Sequence, residues 1–322
     1  MSTPSSPQPG HHVVVGAGPV GTTTALELAS RGHRVTVASR RGTGPSHPRI
    51  TLVSADATDA DALSRLADGA AALFNCVNPP YHRWATDWPP VGRAFLTAAE
   101  RSGAVLVMID NLYAFGPDSS MPMSEGDPMR AGGTKGKARA DLARDLLAAH
   151  AAGRVRATLA RASDFIGPAV LGSAMGERVL PRVLAGKKVS VLGALDVPHH
   201  VSFMPDVART LVTIATDERA WGRPWHVPNA PALGQRALVE TFARAAGTTV
   251  KVSAVPWAMV RTLGLVVPFM RELAETRYQF DRPWIVDSSL TEQTFGLQAT
   301  PLDEAAAQTV AWWRTQARTG GR

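Results

Sequence analysis

The sequence predicts an α/β protein: a doubly wound parallel sheet first, and a smaller C-terminal α/β region after it. Three observations predict it. Short β-branched apolar runs recur at 13–15, 35–38, 50–53, 71–76, 105–109 and 155–160, with Ala/Leu/Arg-rich helical stretches at 20–30, 60–66, 92–101 and 137–151 between most of them. The runs are continuous rather than alternating, as strands covered on both faces require. A glycine-rich turn joins the first strand to the first helix.

That turn is Val13-Val14-Val15-Gly16-Ala17-Gly18-Pro19-Val20-Gly21, a strand running into Gly-x-Gly-x-x-Gly and a helix. Gly16 permits the tight turn, Gly18 allows backbone to approach a pyrophosphate, and Gly21 lets helix pack closely on strand. With the next strand at 35–38 the unit is βαβ, the dinucleotide-binding Rossmann arrangement. The second strand ends Val37-Ala38-Ser39-Arg40-Arg41-Gly42. It lacks the carboxylate that accepts the ribose hydroxyls of NAD, and two guanidiniums stand where a 2′-phosphate would lie, so NADP(H) is the expected cofactor.

The rhythm changes after Gly167-Pro168. Helical pieces at 175–185, 205–216, 237–246 and 302–318 alternate with short strands at 189–192, 225–227 and 250–255, and most tryptophans lie at or beyond Trp221. The expected organisation is a disordered Pro/Ser-rich tail at 1–10 and a Rossmann domain over 11–166, with 200–225 returning to it. Residues 167–322 mainly form a substrate-binding domain.

Composition narrows the function classes. The net charge is +7, but the 34 Lys and Arg residues are scattered singly or in pairs, so nucleic acid is not an expected partner. One cysteine, Cys76, excludes an intramolecular disulfide and fits a reducing compartment. The N-terminus carries no apolar signal run, and apolar stretches such as 263–270 contain Pro and are too short to span a bilayer, so a cytoplasmic protein without a membrane role is expected. His11-His12 and His199-His200 lack Cys or carboxylate partners at ligand spacing, so no metal site is expected.

Several further segments, in order along nearly the whole chain, resemble the extended and atypical short-chain dehydrogenase/reductase family, the NAD(P)-dependent epimerase/dehydratase-like group. They are Ser54-Ala55-Asp56-Ala57-Thr58-Asp59, Phe74-Asn75-Cys76-Val77-Asn78-Pro79-Pro80, Arg161-Ala162-Ser163-Asp164-Phe165-Ile166-Gly167-Pro168, His200-Val201-Ser202-Phe203-Met204-Pro205-Asp206-Val207-Ala208 and Phe295-Gly296-Leu297 with Thr300-Pro301-Leu302. The glycine turn is one residue shorter than the usual extended pattern. The resemblance implies Asp56 and Ala57 beside the adenine, and Cys76, Val77 and Asn78 beside the nicotinamide ribose. With Gly16, Gly18, Pro19, Val20, Gly21, Ser39, Arg40, Arg41 and Lys137 they make up the expected cofactor contacts. It also leaves room for a homodimer.

The same resemblance exposes a gap. The family places a Ser or Thr after the fifth strand and Tyr-x-x-x-Lys on the next helix; the Lys lowers the Tyr pKa so that it exchanges a proton with the substrate oxygen. Here the hydroxyl position falls on Asn111 of Ile109-Asp110-Asn111-Leu112-Tyr113-Ala114-Phe115-Gly116. The lysine falls on Lys137, four residues before Asp141, and the tyrosine position is Gly133. Asn111 can orient a carbonyl but cannot relay a proton as a hydroxyl does. Of three tyrosines, Tyr113 is the expected replacement acid, activated if Lys137 lies near it; a purely packing role for Tyr113 is the alternative. Asp110 reads as a brace or a second acid, His82, His199 and His200 as polar residues able to face the cleft, and Cys76 as a small buried hydrophobe.

The Pro- and aromatic-rich segment 78–88 (Tyr81, Trp84, Trp88) and the Met-rich segment 121–129 point to a hydrophobic small-molecule substrate or, equally, to packing of the cap on the core. The expected function is an NADP(H)-dependent reductase acting on a C=O, C=N or conjugated C=C with a non-standard proton donor. The alternatives are a non-redox isomerase, cyclase or lyase on the same fold, and a non-catalytic NADP(H) sensor.

Overall fold

The computed structural model describes residues 10–264, 272–273 and 275–319. The expected tail up to residue 9 and most of the apolar stretch 263–270 lie outside the described residues. The first six strands are β1 (His11–Val15), β2 (Arg34–Ser39), β3 (Ile50–Ser54), β4 (Ala72–Asn75), β5 (Val105–Asn111) and β6 (Ala157–Ala162). After them come β7 (Asp164–Ile166), β8 (Val189–Leu192), β9 (Val201–Phe203), β10 (Pro224–His226) and β11 (Val252–Val255). Seven of these form one parallel sheet in the order β10-β6-β5-β4-β1-β2-β3. Chain order reverses between β1 and β4, which opens the crevice at the carboxyl ends of those strands where ligands of such sheets bind.

Side chains alternate between two cores, as the two-residue period of a strand dictates. Val14, Phe74 and Val107 face the core shared with α1 (Pro19–Ser30) and α6 (Met204–Thr216). Val13, Val15, Leu73, Leu106 and Met108 face α2 (Ala60–Ala67), α3 (Trp84–Ser102) and α4 (Thr134–Ala151). Residues 204–226 thus add a helix and the seventh strand to the sheet. A separate apolar core gathers Val179, Val183, Val189, Leu238, Phe242, Ala306 and Trp313. Among the described residues no helix is long and apolar enough to cross a membrane.

Three elements differ from expectation for identifiable reasons. Helix α3 begins at Trp84, eight residues ahead of the expected start at 92, and carries Pro89 and Pro90 inside it. Proline removes helix hydrogen bonds, but Trp84 and Trp88 are buried at 5% and 2% exposure, and their burial holds the turn. The helix expected over 175–185 shrinks to Leu180–Leu184 because the chain around Gly176 turns tightly, leaving no room for a side chain beside the Leu171 carbonyl. The pair β7–β9 is a three-residue parallel contact between segments far apart in sequence, too short to leave a periodicity.

Candidate active site

The glycine turn is built by backbone contacts. Gly16 has φ +108° and a Cβ there would lie 2.6 Å from the Cys76 carbonyl oxygen, so only glycine brings the end of β4 against the turn. A Cβ on Gly21 would overlap the Gly16 carbonyl oxygen. At Gly18 a Cβ would meet nothing, so this side of the turn is open to a ligand. Helix α1 starts with Pro19 and has no side-chain cap, which leaves the amides of Val20 and Gly21 without a capping side chain at its positive end.

Beyond β2, Arg40 and Arg41 are exposed and their guanidiniums form no hydrogen bond or ion pair among the described residues. Ser39 behaves differently from a free cofactor contact. Its hydroxyl donates to the Thr43 carbonyl at 2.8 Å and accepts the Thr43 N–H at 2.9 Å, bracing the loop that presents the two arginines. The Asp56 carboxylate accepts from the Thr58 N–H and hydroxyl, both at 2.8 Å; these bonds, with the nearby Arg40 charge, hold it below the usual carboxylate range. Cys76 is buried, and desolvation pushes its thiol up to about 12, as an inert packing group requires.

On the opposite side of the crevice, Tyr113 follows β5, its backbone N–H bonded to Asn111 Oδ1 at 3.1 Å. Its hydroxyl lies 3.4 Å from that of Tyr81 and 3.5 Å from Gln279 Nε2. The structure does not bring Lys137 to it. Lys137 is exposed and makes no hydrogen bond or ion pair with Tyr113. Two residues apart on a helix, Lys135 and Lys137 point to different faces, and Lys135 is the one turned inward. Its ammonium stands 4.7 Å from the Tyr81 ring centre and pairs with Glu272 and, at 3.3 Å, with Glu275. Burial lowers the Lys135 pKa, but the two carboxylates outweigh it and hold the ammonium above its usual value. The expected lowering of the Tyr113 pKa is therefore corrected. Burial, then the neighbouring Tyr81 and Asp164, push that phenol well above its ordinary value, and it stays a protonated donor.

The gap at Gly133 has an occupant that sequence spacing did not reveal. A Cβ on Gly133 would lie 2.5 Å from Glu275 Oε1, so the Glu275 carboxylate takes the space a side chain there would enter. The same oxygen accepts the Lys135 backbone N–H at 2.6 Å, at the start of α4. Glu275 lines a cavity of ≈ 240 Å³ with Tyr113, Gly132, Gly133, Thr276 and Tyr278. Nearby, His199 Nε2 is 3.0 Å from Asp164 Oδ2 and its Nδ1 is 3.0 Å from the Gln279 carbonyl. No local motif ties residue 133 to residue 275; their proximity is a product of the fold alone.

The remaining candidates are structural. Asp110 is buried and accepts from Arg139 at 2.7 Å and Arg161 at 3.3 Å, bracing β5, β6 and α4. His82 is exposed, whereas His200 accepts the Val286 N–H at 3.0 Å and burial lowers its pKa to about 4. Trp84 and Trp88 pack against Arg139 inside the core, and Met123 is fully buried; Tyr81 reaches the Tyr113 hydroxyl, while the Trp84 ring lies 6.0 Å from the Tyr113 ring. No group of His, Cys, Asp or Glu able to hold a metal occurs among the described residues.

The architecture is shared with solved enzymes. The chain is similar to UDP-glucose-4-epimerase from Stenotrophomonas maltophila, at 18% identity over 96% of this chain and 99% of that one, with a TM-score of 0.77. It is similar to the dTDP-glucose 4,6-dehydratase DesIV of Streptomyces venezuelae at 17% identity, 96% and 98% coverage and a TM-score of 0.76. WbmH of Bordetella bronchiseptica, solved with NAD+, aligns at 20% identity, 95% and 98% coverage and a TM-score of 0.72. At such identities the likeness establishes the fold. No curated protein sequence matches the chain. The profile of one family, however, spans the glycine turn, β5 and α4, matching residues 12–227, more than half of the sequence; the chain belongs to the NAD dependent epimerase/dehydratase family.

Proposed function

We propose that the chain is an NADP(H)-dependent oxidoreductase that reduces a C=O, C=N or conjugated C=C bond of a hydrophobic small metabolite, using a proton donor other than the family's tyrosine. The observation that carries the cofactor is the pair Arg40-Arg41: two exposed guanidiniums after β2, with no carboxylate at the strand end. The solved neighbours WbmH and DesIV hold NAD; an arginine pair suits the additional 2′-phosphate that distinguishes NADP(H).

The residues present fit that group. The open side of Gly18 and the uncapped start of α1 would receive the pyrophosphate, Arg40 and Arg41 the 2′-phosphate, and Asp56 and Ala57 the adenine. When bound, NADPH supplies a hydride. The chain's own residues orient and protonate. Asn111 offers its amide N–H₂, since its oxygen is held by the Tyr113 N–H, and Tyr113, which lines the cavity, keeps its phenol proton for donation. Lys137, exposed on α4, is available to the cofactor ribose.

Titration of nicotinamide fluorescence tests the reading. NADPH binds more tightly than NADH, and Arg40→Ala with Arg41→Ala lowers NADPH affinity about 10- to 100-fold, as loss of charged hydrogen bonds predicts, leaving NADH unchanged. Equal affinities for the two cofactors in the unsubstituted protein defeat it. One observation favours a second reading. Gly133 removes the tyrosine on which the family's usual proton exchange depends, which suits a non-redox isomerase, cyclase or lyase, or a sensor that turns nothing over. Substrate conversion without change in nicotinamide absorbance selects the first of these, and tight NADPH binding without turnover of a carbonyl, imine and enone panel selects the sensor.

A further inference from the structure

We infer that the cavity beside Tyr113 takes a substrate whose reacting end is a cationic nitrogen, an iminium or protonated amine, and that Glu275 is the carboxylate that recognises it. The inference rests on the reductase reading and narrows its three bond types to C=N.

Three features of the wall carry it. The cavity, ≈ 240 Å³, is lined by Tyr113, Tyr278, Thr276 and Glu275 and by glycine backbone at Gly116, Gly132, Gly133 and Gly136. Aromatic faces with one carboxylate are the surroundings in which a cation is held best. Among the described residues, Glu272 and Glu275 share one ammonium, that of Lys135. The ammonium is also withdrawn. The Lys135 side chain is 3% exposed, over the Tyr81 ring, whereas that of Glu275 is 27% exposed. Glu275 Oε1 accepts the Lys135 N–H and Oε2 lies 3.3 Å from the ammonium, so lone pairs remain for a ligand N–H or a nearby positive charge. Among the described residues, Arg139 and Arg161 are buried on Asp110, and Arg282 donates to the carbonyl of Pro117, making no ion pair with Glu275.

Glycine at 133 is what allows this. Any larger residue would enter the space of the Glu275 carboxylate. Glycine at 133 thus leaves a carboxylate in the wall, which disfavours a developing oxyanion there.

Calorimetry on the full chain tests it with N-methyl-3,4-dihydroisoquinolinium, permanently cationic, against its neutral carbon isostere 3-methyl-1,2-dihydronaphthalene. The cation is expected to bind about tenfold or more tightly than the isostere, the scale of a desolvated cation–aromatic and charge contact. Glu275→Gln erases the preference without changing NADPH affinity. Gly133→Ala, which displaces the same carboxylate without removing its charge, weakens it. Equal or tighter binding of the isostere to the unsubstituted chain overturns the inference, as does a preference that survives Glu275→Gln in protein that melts normally. Because the probes are read without turnover, this failure is separate from that of the reductase reading, which falls when NADPH is not oxidised with a carbonyl, imine and enone panel.

Discussion

The two walls of the crevice are built on different principles. The cofactor wall is backbone: Gly16, Gly18 and Gly21 act through the side chains they lack, within six residues of chain. The wall around Tyr113 joins glycine backbone after β5 and at the start of α4 to side chains distant in sequence, Glu275, Thr276 and Gln279. A wall of the first kind is specified by local sequence and tolerates almost no substitution. A wall of the second kind has its chemistry set by which distant side chain reaches it, as Glu275 does beside Gly133.

Acid is expected to break both walls and gives the largest effect. His12 lies in β1, which runs into the glycine turn, and His226 in β10 against Phe115 of the segment after β5; they are 1% and 0% exposed. Burial lowers each pKa from 6.5 to about 4. The unfolded chain therefore takes up these protons first. Their full stability is present above pH 6.5 and is lost as pH falls towards 4, on the order of 3 kcal/mol for each ring. Urea midpoints across that range check it, and a flat profile would mean that the folded rings protonate freely.

A change confined to the Tyr113 side comes next. Asp110→Asn leaves Arg139 and Arg161 buried without their carboxylate and costs about 3–5 kcal/mol by chemical denaturation. A cost below about 1 kcal/mol would show that water reaches the pair. On the cofactor side, Gly21→Ala forces the turn open. It is expected to weaken NADPH by about 100-fold, some 3 kcal/mol, while the calorimetric signal of a cationic probe at the other wall persists. Loss of both together would couple the walls that the comparison separates.

Tyr113→Phe is the smallest change and the sharpest. A donor hydrogen bond of about 1 kcal/mol corresponds to several-fold in turnover; near-normal turnover removes Tyr113 as the acid, and loss of a thousandfold or more would restore it to the central role the sequence suggested.

Several readings from residues stand in the structure because they rest on local physics. Continuous apolar runs gave the parallel strands, and the glycine spacing located the turn where a Cβ has no room. Family spacing placed Lys137 on α4 but could not say which lysine turns inward, since that depends on what α4 meets: Glu272, Glu275 and Tyr81 on the Lys135 side. The aromatics at Trp84 and Trp88 read as substrate surface or core with equal force, and burial against Arg139 decided for core.

The sequence by itself thus determined the sheet and the dinucleotide turn, both encoded in the periodicity and steric needs of neighbouring residues. Only the tertiary structure decided what stands beside Gly133. Residues 133 and 275 share no period or motif, and a carboxylate's role depends on which charges, rings and amides the fold sets within a few ångströms of it.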